Sequence, residues 1–251
     1  MEIHKPRPVR NLRELLSEIG VIVVGVVIAL TAEQMLQGFE LRHRVRLAEE
    51  QMRQEIAGDD GPQVLQRIAL SPCVDENLNA IRAAVERGDS RGAVLEVADR
   101  FDTPRHTWDS VAFQAAASAG VLSQLPPDRL GLLSYFYSMM PILDRADERE
   151  YHDAAALHAV SRVGGALTES ERLRLLDAVE TLRRDDADVT KHVVLARDAM
   201  NQLGIRTEDW RRPAGAMVSL REPGRVVDQL AGLPMARACL PALKTALEAT
   251  P

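Results

Sequence analysis

The chain has 251 residues, a formal net charge of −6 and an aromatic content of only 4%. This acidic balance excludes the basic face that nucleic-acid binding requires, so no nucleic-acid partner is expected. Ala, Leu, Arg and Glu are frequent and favour helix. About 190 residues remain after an apolar segment and a stalk near the N-terminus, enough for one domain with its own core.

The segment between Glu18 and Glu33 carries no charge and predicts a membrane anchor. Its roughly 14 residues would form a helix of about 21 Å, shorter than the ~30 Å hydrocarbon core of a bilayer. Apolar flanks extend the segment to residues 15–36, roughly 33 Å, and place both carboxylates near the interfaces, where a charge costs less. The residues assigned to the anchor include Ile19, Gly25, Ala29 and Ala32.

Two alternatives to an uncleaved anchor are a buried strand and a signal peptide. The run is rich in β-branched residues, as buried parallel strands are, but residues 31–36 continue a helix instead of forming a glycine-rich turn. Signal-peptide cleavage requires small residues at positions −1 and −3. Before Glu33 these positions hold Ala32 and Leu30, so the sequence favours a single-pass signal-anchor.

The distribution of Lys and Arg predicts the orientation of the anchor. Basic residues precede it at Lys5, Arg7, Arg10 and Arg13 and follow it, further from the apolar edge, at Arg42, Arg44 and Arg46. We therefore expect a cytoplasmic tail at residues 1–14, an anchor in the inner (cytoplasmic) membrane, and a periplasmic main domain. The lipid bilayer is the expected partner of the anchor.

Residues 18–30, Glu-Ile-Gly-Val-Ile-Val-Val-Gly-Val-Val-Ile-Ala-Leu, resemble the start of uncharacterised bacterial single-pass membrane proteins. Those proteins have a basic tail, one anchor helix, a charged helix directly after it, and a helical domain. The resemblance extends over approximately residues 1–60 and is weaker around residues 108–120. It implies a topology, but no activity and no site residues.

Beyond the anchor, helical spacing and caps predict helices almost throughout. Leu41, Val45, Ala48 and Met52 form one stripe of a juxtamembrane stalk helix at residues 37–57, which residues 58–62 are expected to end. The stalk either packs on its own domain or pairs in a short coiled coil. In the domain at residues 62–251, helices are predicted from Ser71 and Pro72 to Gly88, at 108–119 before Gly120, from Pro126 to Gly164 with Pro141 inside, and at 234–249.

The clearest predicted helix begins with Thr168 and Glu171, which form a capping box, and ends at Gly204. Its buried seam is predicted at Leu175, Val179, Leu182, Asp186, Val189, Val193, Ala196, Met200 and Leu203. Asp186 needs a partner in an apolar seam, and Arg183, Arg184 and Lys191 are near it in sequence. It is either a ligand or metal carboxylate or part of a locally hydrated seam.

Other residues whose side chains could bind a ligand or take part in catalysis form no recognised motif. His152 and His158 are six positions apart, whereas zinc on one helix requires a spacing of four. We expect neither a metal nor a cofactor. The aromatic residues Trp108, Phe113, Tyr135, Phe136 and Tyr137 line a pocket or belong to the core. Gly25 and Ala29 form a small-xxx-small pair that lets two anchors approach, so a homodimer is one alternative for the partner.

The two cysteines, Cys73 and Cys239, both follow the anchor and are predicted to form a disulfide in an oxidising compartment. The alternative is two separate buried thiols. The predicted fold is all-α: one transmembrane helix, a stalk helix that continues from it, and a helical bundle. The first functional hypothesis is a non-enzymatic interaction or sensing domain, and the second is a periplasmic enzyme whose site no motif reveals.

Overall fold

The computed structural model describes residues 12–160, residues 162–205 and Cys239. No strand occurs in these residues, and the all-α prediction is confirmed. The helices are α1 (Leu12–Glu55), α2 (Gly61–Glu86), α3 (Arg91–Ala98), α4 (Val111–Ser118), α5 (Pro127–His158) and α6 (Glu169–Gln202). A π-helical turn at Ile56–Asp60 joins α1 to α2, and a short 3₁₀ turn at Leu122–Gln124 precedes α5.

The apolar segment lies in α1. Its most apolar window has a mean hydropathy of 2.2, and none of it is buried inside the protein. Val21 is 71% exposed and Ile28 is 63% exposed, although large apolar side chains of soluble proteins are mostly covered when they are contiguous. By length and composition, this helix is able to cross a membrane.

The helical backbone does not end after α1, so the predicted stop at residues 58–62 is wrong. In the π-helical turn the N–H of Gly61 donates to the carbonyl of Ile56, and α2 follows directly. Gly58 and Pro62 disfavour an interior helical position. Because Ile56 and Val64 are fully buried on either side of the turn, packing holds the backbone helical.

Pro72 lies inside α2 and does not begin a helix, which corrects a second boundary. A proline removes one backbone donor and usually interrupts a helix. Ser71, predicted to cap a helix start, donates its hydroxyl to Asp186 of α6 at 3.0 Å. Leu70 and Val74 are fully buried around the proline, so tertiary packing again maintains the helix.

The boundaries of α4 and α5 also differ from the predicted ones. α4 begins later than predicted, and Gly120 follows it with a φ of 68°. α5 ends at His158, short of the predicted Gly164, and Pro141 lies within it. Val160 and Leu167 are buried in the core, and the helix ends before Gly164 because their burial requires the chain to turn there.

The helix α6 packs against both α2 and α5 and forms the centre of the domain. Every residue of its predicted seam is buried. Two apolar clusters fill the domain. The proximal cluster comprises buried apolar residues within 52–64, 108–146 and 189–205, and the distal cluster comprises those within 69–101 and 157–182 together with Cys239.

Cys73 of α2 and Cys239 form the disulfide pair, with Cα atoms 5.6 Å apart, within the range that a disulfide requires. Both residues are buried in the distal cluster. The rest of the helix predicted at residues 234–249 lies outside the described residues, as does the basic tail before Leu12.

Both hydrogen bonds of the predicted capping box at the start of α6 are present. The Thr168 hydroxyl accepts from the N–H of Glu171, and the Glu171 carboxylate accepts from the N–H of Thr168 at 2.8 Å. Two free backbone donors of the first turn are satisfied in this way. At the other end, Gly204 adopts a φ of 68°, as a helix-terminating glycine does.

Replacing Thr168 with alanine is expected to lower the free energy of unfolding by about 1 kcal/mol, because the N–H of Glu171 loses its acceptor. Chemical denaturation followed by circular dichroism would measure this loss. Ser170 is a matched control in the same turn, since its hydroxyl contacts only the Arg174 side chain. An equal loss for Ser170→Ala would contradict the capping role of Thr168.

Candidate functional site

A buried group of charged residues joins α2, α5 and α6. Arg67 of α2 is fully buried, and its Nη2 donates to Glu150 Oε1 of α5 at 2.5 Å and to Asp186 Oδ1 of α6 at 3.1 Å. The Ser71 hydroxyl donates to the second oxygen of Asp186. Asp147 of α5 is buried, and its charge acts on Arg67. We call Arg67, Asp147, Glu150 and Asp186 the ionic cluster.

The ionic cluster sets one guanidinium against three carboxyl groups. Burial raises the pKa of Asp147 to about 6, although Arg67 opposes this shift. Burial also raises the pKa of Asp186 to about 6, again against the effect of Arg67. Burial alone would lower the pKa of Arg67, but Glu150 and Asp186 outweigh it and the pKa is raised. The arginine therefore stays charged while Asp147 and Asp186 take up protons near pH 6.

The ionic cluster lies between the two apolar clusters. On α6, Asp186 separates Leu182 of the distal cluster from Val189 of the proximal cluster, and Arg67 faces Asp186 from α2. A shift of either helix along its axis would leave a buried charge without its partner, which is costly. The arrangement thus favours a single alignment of α2, α5 and α6.

The connection between α3 and α4 contacts the ionic cluster through its own side chains. Trp108 Nε1 donates to Asp147 Oδ2 at 2.8 Å, and the rings of His106 and Trp108 meet edge to face. Burial, together with the nearby charge of Arg67, lowers the pKa of His106 to about 4. The imidazole is therefore neutral at physiological pH. Within the described residues, His106 Nε2 and the Nε and Nη1 atoms of Arg67 have no hydrogen-bond partner.

Two further carboxylates, Glu55 and Asp60, hold the start of α4 to the π-helical turn. Glu55 Oε2 accepts from the N–H of Ala112 at 2.8 Å, and Asp60 Oδ1 accepts from the N–H of Asp109 at 3.1 Å. They serve as caps from outside the helix, since the Ser110 side chain makes no cap bond. Burial raises the pKa of Asp60 to about 8, with the bond from Asp109 opposing the shift.

The stability of the protein is expected to rise as the pH falls from 8 towards 5. Asp60, Asp147 and Asp186 have folded-state pKa values above the unfolded value of 3.8, so the folded state binds more protons in this range. His106 and Glu171 act in the opposite direction. The pKa of His106 is lowered to about 4, so between about pH 6.5 and pH 4 the unfolded state takes up a proton that the folded state does not, but the three aspartates outweigh this single imidazole. Bonds from Arg91 and Thr168 lower the pKa of Glu171 to about 2, and its contribution is lost only below about pH 4. Thermal unfolding across this pH range would test whether stability rises as the pH falls.

The Asp60→Asn variant isolates one of these groups, because an amide keeps an acceptor for the Asp109 N–H and removes the charge. We expect it to stabilise the protein at pH 8 by roughly 2 kcal/mol and to flatten the pH profile. The control is Asp59→Asn, at an exposed neighbour in the same turn. A destabilised Asp60→Asn protein at pH 8 would show that the ionised carboxylate is required there.

The partner of Asp186 comes from a different helix than its sequence neighbours suggested. Arg183 pairs with Asp75 and Glu180, and Arg184 donates to the Glu180 carbonyl. Arg183 lies one turn before Asp186, but its guanidinium contacts Asp75, Asn79 and Glu180 instead, and Arg184 lies on the opposite side of α6. The guanidinium that pairs with Asp186 is that of Arg67, which faces α6 from α2.

The predicted histidine and aromatic residues do not converge on one site. His152 is 3.8 Å from Glu148, and His158 is 3.5 Å from Asp99, both at the surface. Among the aromatic residues, Tyr135 is 45% exposed and the other four pack in or against the proximal cluster: Trp108, Phe113, Phe136 and Tyr137. Stacking of the Phe113 and Tyr137 rings at 4.8 Å supports the core interpretation.

The sequence analysis missed Arg67, Asp147 and Glu150, although a signal for each was present. One stripe of α5 follows alternating steps of four and three, and all its residues are buried except the half-buried Ala154: Phe136, Met140, Leu143, Asp147, Glu150, Ala154 and Leu157. Arg67 takes the corresponding place on α2, between Val64 and Leu70. A charged residue in such a stripe is the same signal that singled out Asp186. The wrong helix boundary at residues 58–72 concealed it on α2.

In the described residues, Asp186 belongs to no cluster of metal ligands and does not line the groove nearest the start of α6. No group of three or more His, Cys, Asp or Glu side chains in the described part of the chain is arranged to hold a metal ion. A half-open groove of about 550 Å³ lies between the end of α5 and the start of α6, and Asp186 is not among its lining residues. Its acidic residues, Asp153, Glu171 and Asp177, face a single basic one, Arg174.

Comparison with protein-family models, with curated proteins and with solved structures finds no match for this chain. The functional argument therefore rests on the geometry of the chain itself.

Proposed function

We propose that this chain is a single-pass membrane protein that carries a non-enzymatic interaction or sensing domain on the outer side of the cytoplasmic membrane. The observation that carries the proposal is the continuity of the helical backbone from the apolar segment into α2. The helix that would cross the bilayer is thereby also a core helix of the domain. No flexible linker separates the apolar segment from α2.

Three features support the proposed topology. The apolar helix is long enough to span a bilayer, and Lys and Arg before it outnumber those directly after it by four to three. Cys73 and Cys239 lie at disulfide distance, and disulfides persist mainly in oxidising compartments such as the periplasm. The resemblance of residues 18–30 to bacterial single-pass proteins agrees with the same arrangement.

The packing of α1 favours a coupled domain. Met52 and Ile56 are fully buried in the proximal cluster, and Arg53 donates to the carbonyls of Leu203 and Gly204 at the end of α6. A rotation or shift of the anchor would therefore move buried side chains of the domain. This is the property that a membrane-linked sensing or interaction domain needs.

The ionic cluster supports a structural role more than a catalytic one. Asp186 is paired with Arg67 inside packed helices, is buried, and does not line the groove between α5 and α6, whereas a catalytic carboxylate must reach its substrate. Titratable groups with raised pKa values are also frequent in structural ion networks.

A reporter fused to the C-terminus is expected to be active only when it is exported, and the mature protein is expected to retain residues 1–36. Reporters that fold on one side of the membrane, combined with mass determination of the protein extracted from membranes, would measure both. Activity of a cytoplasmic reporter would overturn the orientation. A mature protein that begins near Glu33 would replace the anchor by a cleaved signal peptide.

Coupling is tested by insertions after Leu47, between the anchor and Met52. Two inserted alanines rotate the domain by about 200° relative to the anchor, whereas seven restore the phase within about 20°. With a photo-crosslinker at Val111, which is 67% exposed, we expect the two-residue insertion to change the crosslinks formed in native membranes and the seven-residue insertion to keep them. Identical crosslinks in both variants would contradict coupling through the helix.

A further inference from the structure

Three arginines follow the apolar segment of α1 at short, regular distances. At a rise of 1.5 Å per residue, Phe39 lies about 4 Å, Arg42 about 9 Å and Arg46 about 15 Å beyond Leu36. Phe39, Arg42 and Arg46 are spaced three and four apart, so they share one face, and Arg44 lies on the opposite face. All three arginines are exposed, and Phe39 is 64% exposed.

The guanidinium of Arg42 points back towards the apolar segment. Its Nε donates to the carbonyl of Gly38 at 3.1 Å, and its Cζ lies 4.7 Å from the centre of the Phe39 ring. Helical side chains lean towards the N-terminus, so the charge lies about one turn closer to the apolar edge than the Cα atom does. This places the charge of Arg42 about 3–5 Å beyond Leu36, within the ~5–8 Å headgroup layer of a bilayer.

Within the described residues, the charges of these arginines are not neutralised by an acidic partner. No carboxylate of the described residues forms an ion pair with them, whereas arginines of the domain such as Arg129 and Arg149 are ion-paired. Glu40 is the one acidic residue between positions 37 and 47. Residues 1–47 hold seven Lys or Arg and five Asp or Glu, a net charge of +2. Since the whole chain has a net charge of −6, the remaining residues have a net charge of −8.

We propose that Arg42, Arg44 and Arg46 form a basic collar that binds the phosphates of anionic phospholipid headgroups in the leaflet next to the domain. The proposal rests on the membrane anchorage proposed above. Arginine is suited to this ligand because its planar guanidinium donates two parallel hydrogen bonds to phosphate oxygens. Phe39 lies where aromatic side chains favour the membrane interface.

The basic collar gives the anchor a defined depth in the bilayer. The collar is attracted to the anionic surface, whereas the acidic domain above it is repelled. Because α1 continues into α2, the depth of the collar also determines how far the domain stands from the membrane. The headgroup composition of the leaflet would then act directly on the position of the domain.

The test uses the full chain reconstituted in vesicles of phosphatidylcholine that contain a small fraction of lipid spin-labelled on its acyl chain. Electron paramagnetic resonance compares labelled phosphatidylglycerol with labelled phosphatidylcholine in the lipid layer that contacts the protein. Since the basic tail also attracts anionic lipid, all proteins carry Gln at positions 5, 7, 10 and 13. The variants are Arg42→Gln/Arg44→Gln/Arg46→Gln, the matching triple Lys variant, and Arg174→Gln/Arg184→Gln/Arg197→Gln on α6 as a control of equal charge.

The parent is expected to prefer phosphatidylglycerol severalfold, and the Gln collar variant is expected to reduce this preference to near parity. The α6 control should keep the preference, and added salt should weaken it in the parent. Equal preference in the parent and in the Gln collar variant, in protein that resists carbonate extraction, would overturn the collar while leaving the anchor intact. Protein that carbonate releases from the membrane would instead overturn the proposed anchorage. A lower preference in the Lys variant than in the parent would indicate that guanidinium geometry contributes beyond charge.

Discussion

Replacing Arg67 with methionine is expected to lower the free energy of unfolding by about 3–5 kcal/mol, among the largest effects of any single substitution in this protein. The change removes the guanidinium but leaves Asp147, Glu150 and Asp186 buried together. Their mutual repulsion and the loss of hydrogen bonds to Glu150 and Asp186 are then uncompensated. Because carboxyl groups can take up protons, the loss should be smaller at pH 5 than at pH 8. Denaturation of the full chain in detergent micelles, followed by circular dichroism at both pH values, measures it.

A matched control is Arg82→Met on the same helix. Arg82 pairs with Glu180 of α6, but both side chains are partly exposed, and such pairs contribute about 1 kcal/mol or less. The triple variant Arg67→Met/Glu150→Met/Asp186→Met removes the arginine together with both carboxylates that it binds, and it is expected to recover most of the stability. If Arg67→Met cost no more than Arg82→Met, the ionic cluster would not be a determinant of the fold.

Breaking the link between Cys73 and Cys239 is expected to lower the free energy of unfolding by roughly 2–5 kcal/mol. The two residues are 166 positions apart, and the chain-entropy relation gives about 5 kcal/mol for a loop of this length. Strain and residual structure in the unfolded chain reduce that figure. The comparison is between oxidised protein, reduced protein and the Cys73→Ala/Cys239→Ala variant in thermal or chemical unfolding.

The oxidised state is itself a test of the proposed compartment. Protein purified without reductant from the periplasmic face is expected to contain no free thiol, which mass analysis after alkylation would establish. Two free thiols in such material would remove the support that the cysteines lend to an exported domain. Reduced protein and the alanine variant should show similar midpoints, since both lack the same covalent constraint.

These two experiments test two links that α2 makes to other parts of the domain. Arg67 connects the start of α2 to α5 and α6, and Cys73 connects its middle to the C-terminal region. Because α2 continues from α1, both links also hold α1 to the domain. A variant that loses both is expected to lose about the sum of the two effects unless the sites are coupled through α2.

The sequence by itself determined those features whose physical signal lies within a few residues. The apolar run of α1 is a matter of composition, and the capping box of Thr168 and Glu171 depends on two side chains one turn apart. The seam of α6 repeats every three or four residues, which is the period of the helix itself, and every predicted seam position is buried. The disulfide pairing was accessible because the chain has only two cysteines.

Only the tertiary structure decided where helices continue against local preference. Gly58, Pro62 and Pro72 are strong local signals for a stop, yet the backbone remains helical because the residues around them are buried against distant helices. Local propensities amount to about 1–3 kcal/mol per residue, and the burial of several large side chains outweighs them. The partner of Asp186 was hidden for the same reason. A carboxylate in a buried seam indicates that a cation must lie nearby. Whether that cation comes from the same helix or from a distant one depends on which helices pack together, and Arg67 comes from a helix more than a hundred residues earlier.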